Sequence, residues 1–400
     1  MSATQAPRTA IGQGGRIFIF GFLSAIAPLS IDIYLPALPT MRTALAANEA
    51  QTLYTLSTFF IGFGGGQLLF GPLTDRFGRK RPLLCGLAVY IVASAGCALA
   101  PSIAMLVAFR FIQALGGSIV PITVQAMVRD LYARNESARI LSLNLLVTAS
   151  APIIAPLLGG QILLWLDWRF IFWVLVAFGG LALIAALVLP ETLAAARRTQ
   201  ANPLTLVLGY AALLRNGRYL GYVACSTSYF CCLFAFIAGS PFVYIEYFGV
   251  PAQFYGFLFG VNMVGMIATT FVNSRIVMRR GADPLLRTAC AIGAAASLVL
   301  LATGVSGFGG VPGIAVPLFV VLSLLTMVAS NGISGALAVA PSAGAAAALA
   351  GALQFGAGGF ISATTGWLAD GTPRPMTAII CAGAVLSLTA NLLLLRKARE

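Results

Sequence analysis

About twelve stretches of roughly 20 mainly apolar residues follow one another along this sequence, parted by charged clusters and Pro/Gly breaks. A helix needs that length to cross a hydrocarbon core. A chain that repeats it so often must satisfy its backbone inside spanning helices. The limits read from the breaks are 17–40, 51–73, 82–100, 103–127, 139–164, 169–189, 219–246, 253–274, 286–304, 312–334, 343–369 and 375–395. Only 9% of the 400 residues are charged and 59% are hydrophobic, which excludes a soluble core of this size.

A net charge of +13 would suit nucleic acid as a partner, but the basic residues sit in short clusters between apolar runs and read as a topology signal. Arg8 and Arg16 precede the first span, and Arg76, Arg79, Lys80 and Arg81 follow the second. Arg129, Arg134 and Arg139 follow the fourth; Arg197, Arg198, Arg215 and Arg218 follow the sixth. Arg275, Arg279, Arg280 and Arg287 flank the loop after the eighth, and Arg396, Lys397 and Arg399 close the chain. The other side receives Arg42, Arg169 and Arg374, so both termini are predicted to be cytoplasmic. Trp165, Trp168 and Trp173 are expected to form an interfacial aromatic belt. The first span is longer than a signal-peptide core, and Pro28 spoils the cleavage reading of "SAIAPLS", so it is expected to be retained.

The chain has no histidine, and its seven cysteines lie in apolar runs without metal or redox spacing. They read as small buried residues. No Ser/His, metal or paired-carboxylate constellation is present, so neither an enzyme nor a cofactor or metal site is expected.

The interval "ETLAAARRTQANPLTLVLGYAALLRNGR" divides the spans six and six. It predicts a first half over 1–190, a linker over 191–218 carrying an amphipathic helix on the membrane, and a second half over 219–400. A faint repeat supports this: "GPLTDRFGRKRPLL" at 71–84 and "NSRIVMRRGADPLL" at 273–286 each join a second helix to a third.

Two charges inside spans call for a reason. Asp32 lies in "PLSIDIYLPALP", about eight residues or roughly 12 Å below the outer end of the first span. Arg110 lies about seven residues, roughly 10 Å, from the same surface in the fourth span, where an arginine costs about 2.5 to 3.5 kcal/mol. The matched depths leave three readings of Asp32: a neutral buried acid, a static partner of Arg110, or the carrier of a transported proton. Snorkelling is the alternative for Arg110. Glu246, near the outer end of the seventh span and above Pro241, is a candidate for proton coupling beside Asp32 and Arg110; alternatively it would gate the mouth, attract cations, or sit in the headgroup layer. Tyr34, Gln113, Asn144, Tyr229, Phe234, Asn262, Asn331 and Gln354 are candidate walls of a substrate cavity, with helix-to-helix glue or lipid packing as the plainer alternative. In the fifth span Pro152 and Pro156 are expected to kink the helix, and Gly159 and Gly160 to allow close packing.

The loop after the second span resembles the G-x-x-x-D-R-x-G-R-[RK] signature of the major facilitator superfamily at Gly71, Asp75, Arg76, Gly78, Arg79 and Lys80. In that superfamily the loop works as a cytoplasmic latch between the two halves, and the fourth-helix arginine, matched by Arg110, is linked to proton coupling. The fifth span resembles the antiporter signature in part, with Ala155 in place of its first glycine. Together with "VRDLYARNESARILS", "APIIAPLLGG" and "GSPFVYIE", the chain is similar to the Bcr/CflA drug-resistance transporters along nearly its whole length. That resemblance implies an all-α integral membrane protein of two six-helix halves, and a monomer in the bacterial inner membrane. It also implies proton-driven export of apolar or amphipathic antibiotics, with Asp32 and Arg110 in the coupling roles. An uptake symporter or a metabolite exporter on the same fold remains the alternative. The chain departs from the family before Pro341, where Val339 and Ala340 stand in place of an acid.

Overall fold

The computed structural model describes residues 12–198 and 203–397. Arg8 and Arg399 of the charge census lie outside them. Twelve helices in these residues are long and apolar enough to cross a membrane: Gln13–Ala44, Glu49–Phe77, Lys80–Ala98, Ile103–Leu131, Asn135–Trp165, Arg169–Val188, Gly217–Tyr247, Ala252–Arg280, Ala282–Ser306, Gly310–Ala338, Gly344–Trp367 and Arg374–Leu394. Several exceed the limits read from the sequence, the first by starting at residue 13 and the eighth by running on to residue 280. Polar helix ends extend past the apolar window that a sequence count detects.

Local chemistry sets the ends. Asn48 and Gln51 cap the second span reciprocally, the Gln51 N–H donating to Asn48 Oδ1 at 2.8 Å and the Asn48 N–H to Gln51 Oε1 at 3.0 Å. Gly78, at φ 91°, stops that span, and Gly281, at φ 79°, stops the eighth. These two turns are equivalent with a one-residue shift from the register of the sequence repeat. The fifth span stays helical through Pro152 and Pro156.

The repeat is plain in the packing. Span one lies on five, two on four, and three on four and six; six positions later, seven lies on eleven, eight on ten, and nine on ten and twelve. The two bundles meet where span two packs on eleven and span five on eight, a pairing that the same offset maps onto itself. Glycines allow the approach at the distal end of the molecule, opposite the chain termini. A Cβ on Gly366 would sit 2.8 Å from Ala50 Cα, and one on Gly160 2.6 Å from the Ala252 carbonyl oxygen. A Cβ on the adjacent Gly159 would strike the Ile33 carbonyl oxygen of span one. One dipeptide of span five therefore touches its own bundle and the opposite one. Ser362 Oγ also donates across the bundles to the Leu53 carbonyl at 3.4 Å.

Three expectations need correction. Trp168 is fully buried beneath Arg169 and against Phe172, while Trp165 is exposed, so the three tryptophans do not form one belt. Cys85 is exposed among otherwise buried or half-buried thiols, because it points off the outer face of the third span. The helix Pro203–Leu214 in the interval between the bundles is apolar along its length and not amphipathic; Tyr210 and Leu213 join it to residues of spans seven, ten and eleven.

Candidate functional site

The first span is a broken helix. It bends at Ala25, ends its second segment Ile26–Asp32, and passes through a tight 3-10 turn Leu35–Ala37 before its last helical stretch Leu38–Ala44. Pro36 and Pro39 cause the interruption, since neither supplies an N–H and each ring clashes with the preceding turn. Asp32 is thus the last residue before the break, only 4% exposed. Its carboxylate has no hydrogen-bond or ion-pair partner among the described residues. The tyrosine Tyr255 of span eight is its electrostatic neighbour, and the Tyr255 hydroxyl is shared with Ser240 Oγ of span seven at 2.8 Å. The acid belongs to the seam between the bundles.

Arg110 is fully buried but held on the other side of span one. Its Nη1 donates to the Ser30 carbonyl at 3.1 Å and to Gln113 Oε1 at 2.7 Å. Gln113 Nε2 in turn donates to Ser94 Oγ at 2.7 Å, and Ser30 Oγ meets the Tyr90 hydroxyl at 2.7 Å. The guanidinium carbon lies 4.2 Å from the ring centres of both Tyr34 and Phe59 and 5.9 Å from that of Phe172, a cation–π cage inside the first bundle. Among the described residues Arg110 Nε and Nη2 have no acceptor. The ion pair suggested by the matched depths is not formed. Ser30 and Asp32 are two residues apart, about 200° around a helix, so the face that meets Arg110 is turned away from the carboxylate. Snorkelling is also excluded in this conformation, since the guanidinium is sealed in.

Most of the remaining cavity candidates lie inside one bundle or the other. Tyr34 and Gln113 belong to the Arg110 cage. Tyr229 donates to the Val321 carbonyl at 2.8 Å and is core of the second bundle, and Asn331 donates to Asn273 Oδ1 at 2.9 Å in a polar contact between spans eight and ten. Asn144, half-buried, donates to Ser24 Oγ at 2.8 Å. Phe234 does lie at the seam, 4.7 Å from Phe60 and 5.9 Å from Phe355, with Phe63 4.8 Å from Phe355. Asn262 Oδ1 of span eight and Gln354 Nε2 of span eleven are buried without partners among the described residues. The aromatic lining of the seam is the apolar surface that an amphipathic ligand needs.

The basic loop is tied inside its own bundle. Arg79 Nη1 binds Asp75 at 2.5 Å and Thr74 Oγ1 at 3.1 Å, and its Nε binds Asp130 of span four at 3.2 Å. Gly78 leaves the next two backbone N–H groups free, and Glu191, just past span six, takes both: Arg79 N at 2.9 Å and Lys80 N at 3.2 Å. Lys80 Nζ caps the Leu187 carbonyl at 2.7 Å, while Arg76 lies over Phe77. Burial alone would raise the Glu191 pKa, but N–H bonds from Leu193, Arg79, Lys80 and Thr192 outweigh it and hold the acid below the ordinary glutamate range. The described bonds of this loop join spans two, four and six, not the two bundles. Glu191 was not anticipated from the sequence.

Glu246 is far from Asp32. Span seven passes into a wide π-turn at Phe242–Tyr247 after Pro241, which carries Glu246 to the distal end. There its Oε2 meets Arg42 Nη1 of span one at 3.1 Å, an ion pair between the bundles. The pair lines a cavity of about 400 Å³ with Glu49, Phe242, Tyr247 and Met376.

The family profile described as Major Facilitator Superfamily matches residues 20–363. The chain belongs to that superfamily. It is 34% identical over 373 residues to the uncharacterized MFS-type transporter YdgK of Bacillus subtilis, covering 92% of each chain. It is 32% identical over 379 residues to a bicyclomycin resistance protein homolog of Haemophilus influenzae, covering 94% of each. Among solved structures, the xylose transporter XylE of Escherichia coli, in a partially occluded inward-open conformation, superposes with a TM-score of 0.75 at 14% identity over 96% of this chain and 97% of that one. The last likeness establishes the fold alone: twelve spanning helices in two contacting bundles.

Proposed function

We propose that this member of the superfamily is a proton-driven exporter of apolar or amphipathic antibiotics, of the Bcr/CflA type, in the bacterial inner membrane with both termini cytoplasmic. The observation that carries the reading is Asp32: a buried acid without a partner among the described residues, at a helix break, on the seam between two bundles that must move against each other. The resemblance to a bicyclomycin resistance protein homolog supports the drug class.

In the proposed cycle, the state with its distal side sealed takes drug from the cytoplasm or inner leaflet against Phe60, Phe234 and Phe355. Reorientation opens the distal, periplasmic side, where a proton neutralises Asp32 and the drug leaves. The return step carries the proton inward, and Asp32 releases it. Each proton moved down a 100 mV potential supplies about 2.3 kcal/mol. Rotation of the segment after Ala25 would bring the acid round to the unpaired Nε and Nη2 of Arg110, which lowers the cost of its ionised form. Proton release and bundle movement are then one event.

The test is proton-driven uptake of a panel of antibiotics into inverted vesicles, wild type against Asp32→Asn. The expected result is transport that dissipates the pH gradient in wild type, and drug binding without either in the variant. Unchanged coupling in Asp32→Asn would make the acid structural. Accumulation of one polar metabolite in right-side-out vesicles would replace the export reading with uptake.

A further inference from the structure

The distal cavity is walled by both bundles, and its charges do not balance. Spans one and two contribute Arg42 and Glu49; span seven contributes Glu246 and, beside it, Phe242 and Tyr247; Met376 of span twelve closes the floor against Gly239. Arg42 is committed to Glu246 at 3.1 Å, and its guanidinium lies 5.9 Å from the Phe242 ring. Glu49 has no hydrogen-bond or ion-pair partner among the described residues, although Glu246, Arg42 and Asp370 all act on it electrostatically. Near the cavity Asp370 accepts from the Thr372 N–H at 2.9 Å and from the Thr372 hydroxyl at 2.6 Å. Two carboxylates thus share one guanidinium in a space of about 400 Å³, within the usual range of a small-molecule site.

We infer that this cavity is a binding station for an organic monocation, which lies between Glu49 and Glu246 and takes the place of Arg42 over the aromatic ring. The free carboxylate supplies the missing counter-charge, and Phe242 already faces a cation in the Arg42 guanidinium. The thioether of Met376 and the Tyr247 ring give the apolar body of the ligand its contact. The occupant has a consequence for the fold. Glu246 and Arg42 belong to different bundles, so a cation that draws Glu246 away removes an ion pair from the distal seal. Binding from the distal solution and opening of that side become linked. The inference deepens the export reading and rests on it only for the ligand's route; the binding itself does not require transport.

The experiment is photolabelling of the purified full-length protein in lipid nanodiscs. The probe is a benzophenone bearing a trimethylammonium group, and the comparator is the same benzophenone carrying a hydroxyl. The charged probe is expected to form adducts on Tyr247 or Met376, suppressed by excess benzyltrimethylammonium. Their yield should fall about tenfold in Glu49→Gln/Glu246→Gln, the order expected for losing charge contacts at a partly solvated site. The Asp variants at both positions keep the charge and should keep the labelling; if the double Gln variant fails to fold, Glu49→Gln alone carries the comparison. Equal labelling by the neutral probe, or unchanged yield in the folded Gln variants, overturns the inference while leaving export untouched. Cavity adducts in a protein that exports nothing would sink the export reading and leave the site standing.

Discussion

Gly160→Leu should unseat the distal seal without unfolding either bundle. A Cβ at residue 160 would lie 2.6 Å from the Ala252 carbonyl oxygen and 3.0 Å from Gln253 Cα, where ordinary contact begins at 3.4 Å. Even alanine therefore needs 0.8 Å of relief, and the three further carbons of leucine need more. The obstacle is the backbone of span eight, which cannot rotate aside as a side chain does. Overpacking of this kind costs about 1 to 3 kcal/mol. Because the clash exists only while spans five and eight are apposed, that cost falls on the sealed state alone. The equilibrium should move toward the distally open state by about 5- to 150-fold. Spin labels at Trp165→Cys and Phe308→Cys, 85% and 77% exposed at the distal end, read the change as a longer inter-label distance, with Cys85→Ser as background. Gly159→Ala is the internal control. Its Cβ meets the Ile33 carbonyl within the same bundle, so it should lower thermal stability in every state and leave the distance distribution alone. A folded Gly160→Leu protein with the wild-type distance distribution would refute the assignment of this contact to the seal.

Two other substitutions test the first bundle. Arg110→Met removes the donor from the Ser30 carbonyl and from Gln113 Oε1, each worth about 1 to 3 kcal/mol when left buried and unpaired, and should lower the melting temperature more than Arg110→Lys does. Glu191 titrates below its ordinary value of 4.5, so its contribution to stability is present above that pH and is lost as pH falls through the lower folded value. Glu191→Gln should melt below wild type at neutral pH, and the two curves should converge in acid; a constant gap down to low pH would assign the loss to packing.

Depth was legible in the sequence and direction was not. A fixed rise per residue placed Asp32 and Arg110 at similar heights, and both are indeed buried. Which face each presents depends on the break at Pro36 and on neighbours about 80 residues away, and a count along the chain carries neither. Spans were legible because length and apolarity are enforced by the bilayer itself. Trp168 defeats the belt reading because an aromatic beside a loop looks interfacial until the loop folds inward over it. Glu191 looks like a linker acid, yet a signal existed: a glycine that ends a helix releases backbone N–H groups, and something must accept them. The acid in "LPETL" was the available acceptor.

That acceptor decides where the molecule can be divided. A first-half fragment that stops at residue 190 would keep all six spans and lose the carboxylate that closes its second-to-third turn, whereas one carried to Leu193 would keep the carboxylate and its N–H bonds. Split versions of this chain, co-expressed as two pieces, should therefore assemble when cut beyond Leu193 and fail a few residues earlier. The start of the connector is structural mortar for the bundle it leaves, and its helix Pro203–Leu214 is mortar for the bundle it enters.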